Sequence, residues 1–533
     1  MKRAICVFLT LMLLTGAVAA YGGRVREEIA VDGVSFADAA DVSDNNRVFY
    51  EIFVGSFSDS DGDGVGDLRG IINRMDYLND GDPASGLSLG VEGLWLTPIF
   101  QSPSYHKYDV TDFYRVDPAF GTEADLKELI GLCHERGVKL ILDLPINHTS
   151  TDCRWFKNFV NAHLMHNPDN DYYNFYHWLE DDQKAPAGQH YARVSNRALR
   201  YEANFSDSMP EPDFDQPLVR QTFLDVAKYY LALGVDGFRF DAAKYIYFGD
   251  NEKSAAFWEW YIRELKKEKP DLYTVAEVWD GDGVIDRYIP MTDCFNFSAS
   301  QASGIIAETA QAGDVNRFTA YVEARQKQLQ ALRPDAREVL FVSNHDMDRA
   351  SGYLGMSNGR MATAANLYLL SPGSPFIYYG EEIGLRGSRG SANTDANRRL
   401  AMVWGDGDTV HDPAGATYAK QTPYSVQDLR GMRSSLLNHY KKLLMIRRAN
   451  PEIARGEYTA LKFTGTKLGG FVSAWEGKRV MVLHNTTNAP LTVDLQEVNE
   501  AGFTRIVAVA GAGEAALEDT RVTLDGQTSA VLR

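Results

Sequence analysis

Cysteine is scarce in this chain, with four residues among 533. Cys6 lies in an apolar N-terminal segment, and Cys133, Cys153 and Cys294 are widely separated. If the N-terminal segment is removed with Cys6, three cysteines remain, and an odd number of scattered cysteines does not form a disulfide framework. We therefore predict that the last three act as small buried residues.

Basic residues are also fewer than acidic ones. The chain has 54 Lys and Arg residues and 72 Asp and Glu residues, which gives a formal net charge of −18. This charge argues against nucleic-acid phosphates or an anionic membrane surface as a partner. An apolar content of 44% and a charged content of 24% are typical of a soluble globular protein. A neutral or cationic ligand fits this composition.

The only long apolar run lies at the N-terminus. Lys2 and Arg3 precede the apolar stretch 4–14, and the small residues 17–19 follow it. This order predicts a signal peptide over residues 1–20, since the run is too short for a permanent membrane span. We expect an exported protein, extracellular or periplasmic, without a membrane span.

The rest of the chain alternates apolar strands with amphipathic helices. Continuous apolar strands joined through helices indicate parallel β/α units, and eight such units close a (β/α)₈ TIM barrel of the α/β class. The predicted strands are 47–57, 91–100, 138–150, 235–240, 272–279, 293–297, 338–346 and 374–382. The predicted helices are 68–79, 122–136, 217–233, 253–269, 315–331, 359–370 and 434–449.

Two regions depart from this alternation. Residues 149–215 are polar and aromatic without a clear helical period, which predicts an inserted domain after the third strand. From residue 455 to 533, short β segments alternate with Gly, Asn and Asp turns, which predicts a C-terminal all-β sandwich. The barrel then comprises residues 45–148 and 216–453.

An acidic loop follows the first strand. Asp59, Asp61, Asp63 and Asp67 lie within nine residues and are separated by glycines. Carboxylates at every second position of a tight loop are suitable ligands for Ca²⁺, and without a cation they would repel one another. The alternative is a solvated acidic turn. The spacing predicts a Ca²⁺ site.

Polar side chains follow several predicted strands, where a barrel brings them together. The stretch 234–245 ends a strand with Arg239 and Asp241, two positions apart and therefore on one side, and we expect the Arg to lower the pKa of this Asp. Glu277 and Asp346 follow two later strands. A pair of carboxylates in different environments is the requirement of glycoside hydrolysis. A structural Arg–Asp pair is the alternative for Arg239 and Asp241.

Four segments lie at these strand ends in the order DLPINH (143–148), GFRFDAAKY (237–245), AEVW (276–279) and FVSNHD (341–346). Together they resemble the four signature regions of the α-amylase family of glycoside hydrolases, family thirteen, and in particular of its intermediate group. The resemblance implies Asp241 as nucleophile, Glu277 as acid/base and Asp346 as transition-state stabiliser. The substrate contacts that it implies are Tyr108, His148, Arg239, Lys244, His345 and Arg349.

The same resemblance implies a calcium site formed by the aspartates of the acidic loop and the carbonyl of Val65, and leaves a second calcium near Asn147 open. We expect a monomer that acts on an α-glucan. Its activity is expected to be retaining endo-hydrolysis of α-1,4-glucosidic bonds, since Tyr105 replaces the Asp of exo-acting glucosidases and Ala242 replaces the Val of α-1,6-preferring enzymes.

Alternatives within the family are neopullulanase-like, transglycosylating and exo-acting α-glucosidase activities. A non-catalytic carbohydrate-binding homologue is the alternative from another class, although all three carboxylates are present here. The chain also departs from the family pattern at Lys107, where Gly is usual, and at Tyr245, where many α-amylases have His.

Overall fold

The computed structural model describes residues 28–36, 44–195, 197–418, 422 and 424–533. The predicted signal peptide lies outside these residues. Seven parallel strands form one curved sheet, and their apolar side chains are almost fully buried. In order across the sheet they are Asp293–Cys294, Tyr273–Ala276, Gly237–Phe240, Lys139–Leu144, Gly93–Leu96, Phe49–Ile52 and Phe376–Tyr378.

The eighth position of the barrel is occupied by residues 338–342. Val339 pairs with Phe295 in a single parallel bridge, and the N–H of Phe376 donates to the carbonyl of Leu340 at 2.9 Å. This segment therefore joins the two edges of the sheet, and the prediction of a (β/α)₈ barrel is confirmed. The observed strands are shorter than predicted because the polar residues at their carboxyl ends enter loops.

Helices surround the sheet at nearly the predicted positions. The predicted helix 217–233 matches Pro217–Leu233 in full, whereas the predicted helix 68–79 breaks at Arg74 into two. The main helices are Leu68–Asn73, Met75–Leu78, Glu123–Glu135, Pro217–Leu233, Asn251–Glu268, Ile305–Ala312, Val315–Leu332, Asn358–Leu369 and Leu436–Ala449. Short helices occur at Asp282–Ile285, Ala350–Tyr353, Val426–Arg430 and Glu452–Arg455.

The excursion after the third strand is more regular than its sequence suggested. Helix Arg154–Leu164 lies where we expected no helical period, and it buries Phe156, Phe159 and Ala162 along one face. The mixture of aromatic and polar residues concealed this spacing. Three antiparallel strands complete the region, namely Trp178–Glu180, Tyr191–Arg193 and Leu199–Glu202. Outside this region, between the second and third barrel strands, Phe100–Gln101 pairs with Asp112–Val116 in an antiparallel hairpin.

The C-terminal region consists of two antiparallel sheets that enclose an apolar core of residues such as Met481, Leu483, Val522 and Leu524. One sheet has the order Glu457–Leu461, Gly469–Trp475, Lys478–Asn485, Thr528–Leu532 and Ile506–Gly511. The other has the order Leu491–Asp494, Arg521–Leu524 and Ala515–Glu518. This arrangement is the predicted sandwich.

The three predicted cysteines, Cys133, Cys153 and Cys294, are buried and unpaired. They pack in the main apolar core, as the sequence predicted. Among the helices that the structure describes, none is both long and apolar enough to cross a membrane.

Candidate active site

A cavity of about 610 Å³ opens at the carboxyl ends of the barrel strands. The three predicted catalytic carboxylates, Asp241, Glu277 and Asp346, all line it. Parallel strands bring side chains from distant parts of the chain to this edge. The remaining lining residues are Tyr105, His106, Tyr108, His148, Phe205, Ser206, Met209, Ala242, Trp279, Arg389, Asn393, Thr394, Asp395, Arg398 and Arg399.

Arg239 connects the carboxylates below the cavity. One of its terminal nitrogens, Nη1, lies 2.7 Å from Oδ1 of Asp241 and 2.9 Å from Oδ1 of Asp143, and Nη2 lies 3.2 Å from Oε2 of Glu277. The guanidinium is fully buried. One cation therefore fixes three acidic side chains, two of which reach the cavity.

Burial dominates the pKa values of these acids. It raises the pKa of Glu277, with Arg239 opposing the shift and the charges of Asp241 and Asp346 adding to it. Burial also raises the pKa of Asp241 despite the contact with Arg239. Arg239 does lower the pKa of Asp241, as expected, but the net pKa is raised because desolvation outweighs one attractive charge shared among several acids.

The backbone after Asp241 contributes a further contact to Glu277. Ala242 has a φ of 47°, in the left-handed region, and its N–H donates to Oε2 of Glu277 at 2.9 Å. Left-handed backbone is uncommon for a residue with a Cβ and is often found at functional sites. Here it turns a donor onto the carboxylate that the sequence identifies as the acid.

A second group of polar contacts surrounds His345. Its Nδ1 lies 2.6 Å from Oε1 of Glu51, and its Nε2 lies 3.0 Å from Oδ2 of Asp346 and 2.6 Å from the hydroxyl of Tyr108. Burial would lower the pKa of His345, but the two carboxylates raise it to about 10. The imidazolium therefore carries a positive charge at neutral pH. The Tyr108 hydroxyl also donates to Asp143 at 2.9 Å.

Arg399 is a site residue that our sequence analysis missed. Its Nη2 donates to Oδ1 of Asp346 at 2.7 Å, and its Nη1 donates to the hydroxyl of Tyr105 at 3.0 Å. Burial would raise the pKa of Asp346, but His345 and Arg399 hold it well below its usual range. The two adjacent arginines at 398–399 were a signal in the sequence, although no regular element preceded them.

Aromatic side chains border the opening of the cavity. Phe205 and Trp279 remain 47% and 39% exposed, although they line it. Trp279 stacks on Phe297 with 5.1 Å between ring centroids. His148 is buried, and neither of its ring nitrogens has a hydrogen-bond partner among the described residues. Flat apolar faces beside unpaired polar atoms suit the mixed surface of a sugar.

Four of the six predicted substrate contacts, Arg239, His345, Lys244 and Arg349, do not line the cavity. Arg239 and His345 instead contact the carboxylates that line it. Lys244 donates to the carbonyl of Trp279 at 2.8 Å and to Oδ2 of Asp280 at 2.9 Å, just outside it. Arg349 is buried and donates to the carbonyls of Arg398 and Tyr379 at 2.9 and 2.6 Å. Both cations therefore hold neighbouring backbone in place, and their contact with substrate stays a prediction.

The acidic loop brings three of its four aspartates together. Oxygens of Asp59, Asp61 and Asp67 lie within 4.8 Å of one another, and Asp63 is not in this group. The carboxylates also accept backbone N–H bonds, as from Gly62 to Asp59 at 2.8 Å. These donors offset part of the repulsion that we expected. A convergent set of hard oxygen donors nevertheless fits Ca²⁺.

Asp63, which is not in that group, and Asp67, which is, also make local contacts within the loop. Oδ1 of Asp63 accepts the N–H of Val65 at 2.7 Å, which closes the loop locally. Oδ1 of Asp67 accepts the N–H of Gly70 at 2.6 Å and caps the following helix. Asp67 therefore links the loop to the first helix of the barrel, whether or not the loop binds a metal ion.

Known proteins that resemble this chain belong to one enzyme family. The family model described as the alpha-amylase catalytic domain matches residues 51–456. Alpha-amylase 3 of Dictyoglomus thermophilum is 35% identical over 449 residues, covering 83% of this chain and 84% of that protein. A 4-alpha-glucanotransferase of Thermotoga neapolitana is 28% identical over 459 residues, covering 84% and 97%. The structure of an alpha-amylase from H. orenii has a TM-score of 0.78 and 33% identity, covering 92% and 99%. This chain belongs to the α-amylase family of glycoside hydrolases, family thirteen.

Proposed function

We propose that this protein is a retaining endo-hydrolase of α-1,4-glucosidic bonds in starch, glycogen and maltooligosaccharides. The observation that carries the proposal is the placement of Asp241 and Glu277 on one guanidinium at the base of an open cavity. Relatives in the family also include a transferase. The chemistry of the site is the same for both activities, so an experiment must decide whether water or a sugar accepts the glucosyl group.

In the first step, a carboxylate oxygen of Asp241 attacks the anomeric carbon while Glu277 protonates the glycosidic oxygen. The bond to the leaving sugar breaks, and a covalent glycosyl–enzyme ester forms. The raised pKa of Glu277 favours the protonated form that this step requires. The ionised Asp346, held by His345 and Arg399, stabilises the positive charge that develops on the sugar.

In the second step, the ionised Glu277 takes a proton from water, whose oxygen attacks the anomeric carbon and releases Asp241. Two inversions give retention of the α configuration. If a sugar hydroxyl replaces water, the same step becomes a glucosyl transfer. Water access to the cavity therefore decides between hydrolysis and transfer.

The endo-acting mode is supported by Tyr105. Its hydroxyl accepts a hydrogen bond from Arg399, and its ring packs against Phe53 with centroids 6.1 Å apart. The side chain thus forms part of the wall and places no carboxylate across the cavity at this position. A glucan chain can extend past it, whereas an acidic residue that binds the terminal hydroxyls would restrict the site to chain ends.

The test compares reducing-sugar release from soluble starch, pullulan and maltose. The proposal predicts rapid release from starch with a fall in its viscosity, and slow release from the other two. Preferential action on maltose would favour an α-glucosidase, and disproportionation of maltotriose without net release of reducing ends would favour a transferase. The first product, followed by NMR, should be the α-anomer.

We further propose that Asp59, Asp61 and Asp67 hold Ca²⁺, with Asp63 and the carbonyl of Val65 as further ligands from the same loop. The ion would neutralise the loop and stabilise the fold by binding the native state. Chelation should lower the Tm, and added Ca²⁺ should restore it. The double variant Asp61→Ala and Asp63→Ala should lose this response, and a retained response would exclude the loop.

The predicted export is likewise a proposal, and it rests on residues outside the described part of the chain. Expression of the full sequence in a bacterial host should give activity in the periplasm or the medium, and activity should remain in the cytoplasm after deletion of residues 1–20. We also propose a monomer, which light scattering of the purified protein can test.

A further inference from the structure

Two glutamates in the inserted region are buried side by side, and no step of the proposed mechanism uses them. Glu202 ends the strand Leu199–Glu202, Glu211 follows the loop 203–210, and each is 3% exposed. The N–H of Glu211 donates to the carbonyl of Glu202 at 3.0 Å. The two acids therefore stand together at the base of this loop.

The residue that joins the two acids is Asn204. Its Nδ2 donates to Oε1 of Glu202 at 2.8 Å and to Oε2 of Glu211 at 3.0 Å, and its backbone N–H donates to Oε1 of Glu211 at 2.9 Å. Its Oδ1 accepts the N–H of His190 at 2.8 Å, which fixes the orientation of the amide. One asparagine thus bonds both carboxylates, and its position depends on their staying together.

The loop above this base forms part of the wall of the catalytic cavity. Phe205 directly follows Asn204 and lines the cavity, as does Met209. The Phe205 ring packs against the rings of His148 and Tyr245, with 5.2 and 5.3 Å between centroids. Contacts at the base of the loop therefore hold an aromatic part of the cavity wall in place.

The two acids are close enough for a proton to decide their interaction. Burial and the charge of Glu202 raise the pKa of Glu211 to about 8, and the hydrogen bonds from Asn204 oppose this shift. At neutral pH the pair therefore carries one proton and one negative charge. Above pH 8 both acids are ionised, and two like charges contact the same amide nitrogen.

The surroundings offer little to offset a second charge. Neither acid forms an ion pair with a Lys or Arg side chain among the described residues. Arg200 lies two positions before Glu202 and so on the same face of the strand, but it bonds neither acid, and its Nε has no hydrogen-bond partner in the described part of the chain. The other titratable groups on the neighbouring elements are Tyr191, His177, Asp213, His190 and Asp207.

We propose that Glu202, Asn204 and Glu211 form a proton-dependent clamp that holds the loop 203–210 against the catalytic cavity. With one proton on the pair, Asn204 bonds both acids and Phe205 stays in the wall. When Glu211 releases that proton to solvent, two buried negative charges repel, and outward movement of the loop lets water reach them. The effect of this movement on glucan binding rests on the proposed function.

Hydrogen exchange of backbone amides measures the clamp without substrate. Protection factors, which correct for faster intrinsic exchange at high pH, should fall for residues 203–211 of the wild type between about pH 7 and pH 9.5. Release of one proton limits this fall to about tenfold per pH unit. Glu211→Gln keeps an acceptor for the N–H of Asn204 and cannot ionise, so its protection should stay constant.

A second variant separates charge repulsion from a loss of packing. Glu202→Gln leaves one negative charge on the pair above pH 8, as in the wild type at pH 7, and should also stay protected. Glu180→Gln is the matched control, because Glu180 is an exposed acid of the same sheet, and its protection should fall as in the wild type. Parallel losses in the wild type and Glu211→Gln, or constant protection in the wild type, would overturn the clamp.

Kinetics on maltopentaose connect the clamp to binding. Between the same pH values the KM of the wild type should rise about 3–10-fold, while that of Glu211→Gln stays nearly constant, since the cavity wall binds ground and transition states alike. The alkaline fall of kcat, set by Glu277, should be the same in both proteins. Equal rises in KM would overturn the effect on binding. Absence of sugar release from any α-glucan would instead overturn the proposed function, and the exchange experiment would still decide whether the clamp exists.

Discussion

This barrel contains two groups of buried carboxylates, and they are stabilised in different ways. Asp241 and Glu277 share the cation Arg239 and reach the cavity. Glu381 and Glu382, which follow the strand Phe376–Tyr378, are almost fully buried. One oxygen of Glu381 accepts hydrogen bonds from the hydroxyls of Tyr368 and Tyr440. One oxygen of Glu382 accepts hydrogen bonds from the hydroxyls of Tyr50 and Tyr77.

The difference shows how environment separates catalytic from structural acids. A shared cation fixes the orientation of the first pair and leaves their outer oxygens toward the cavity. Neutral donors satisfy one oxygen of each Glu in the second pair, and the other oxygen, Oε2, has no hydrogen-bond partner among the described residues. Burial raises the pKa of Glu381 to about 7, so this acid is held partly protonated. Sequence alone presents both pairs as acids at strand ends.

The largest effect is expected from Glu277→Gln, which keeps the shape and removes the proton. Activity on starch should fall more than the ~10²–10⁴-fold typical of general acid catalysis, because the same group later activates water. An α-glycosyl fluoride needs no proton on its leaving group, so its glycosylation step should be largely preserved. The matched control Glu382→Gln should retain activity. Equal losses on starch and fluoride would contradict the assignment of Glu277 as the acid.

Removal of the shared cation should give the next largest effect. Arg239→Met leaves Asp143, Asp241 and Glu277 buried without a positive partner, and we expect the free energy of unfolding to fall by about 3–5 kcal/mol. Arg69→Met is the control, since its partners Asp125 and Glu128 are reached by water, and its effect should be smaller. Chemical denaturation of both variants measures the difference, and equal losses would mean that Arg239 has no special structural role.

The raised pKa of Glu381 predicts a pH dependence of stability. Its pKa in the folded state is about 7, above its ordinary value of 4.5, so the folded protein binds the proton more tightly than the unfolded chain. The stability from this group is fully present below pH 4.5 and is lost as the pH rises through 7. The slope should approach ~1.4 kcal/mol per pH unit within that window. Comparison of the wild type with Glu381→Gln isolates this contribution, and parallel curves would refute it.

The smallest effect compares one change in the two groups. Tyr77→Phe removes a hydroxyl that donates to Glu382, and it should lower the free energy of unfolding by about 1 kcal/mol with kcat/KM unchanged. Tyr108→Phe removes a hydroxyl that contacts Asp143 and His345, and it should lower kcat/KM. Thermal unfolding and starch kinetics on both variants provide the test. Loss of activity in the Tyr77 variant would show that the two groups are coupled.

Much of the fold was predictable because the signals are local. Apolar runs and helical periods placed the beginnings of the strands and most helices within a few residues, and helix Pro217–Leu233 matched in full. Acids that directly follow strands had to meet at one edge of a parallel barrel. Helix Arg154–Leu164 was missed because its buried aromatic face is interrupted by polar residues and lies in an otherwise irregular region.

The sequence by itself determined the barrel, the sandwich and the positions of Asp241, Glu277 and Asp346 at strand ends, since hydrophobic periodicity and chain order are properties of neighbouring residues. Only the tertiary structure brought Arg399 into contact with both Asp346 and Tyr105, the latter nearly three hundred residues away, and left Lys244 and Arg349 outside the cavity lining. The tertiary structure also determined that the pKa of Asp241 is raised, because it buries this carboxylate. The physical reason is that contacts and desolvation depend on which distant segments cover a side chain, and no local pattern records that.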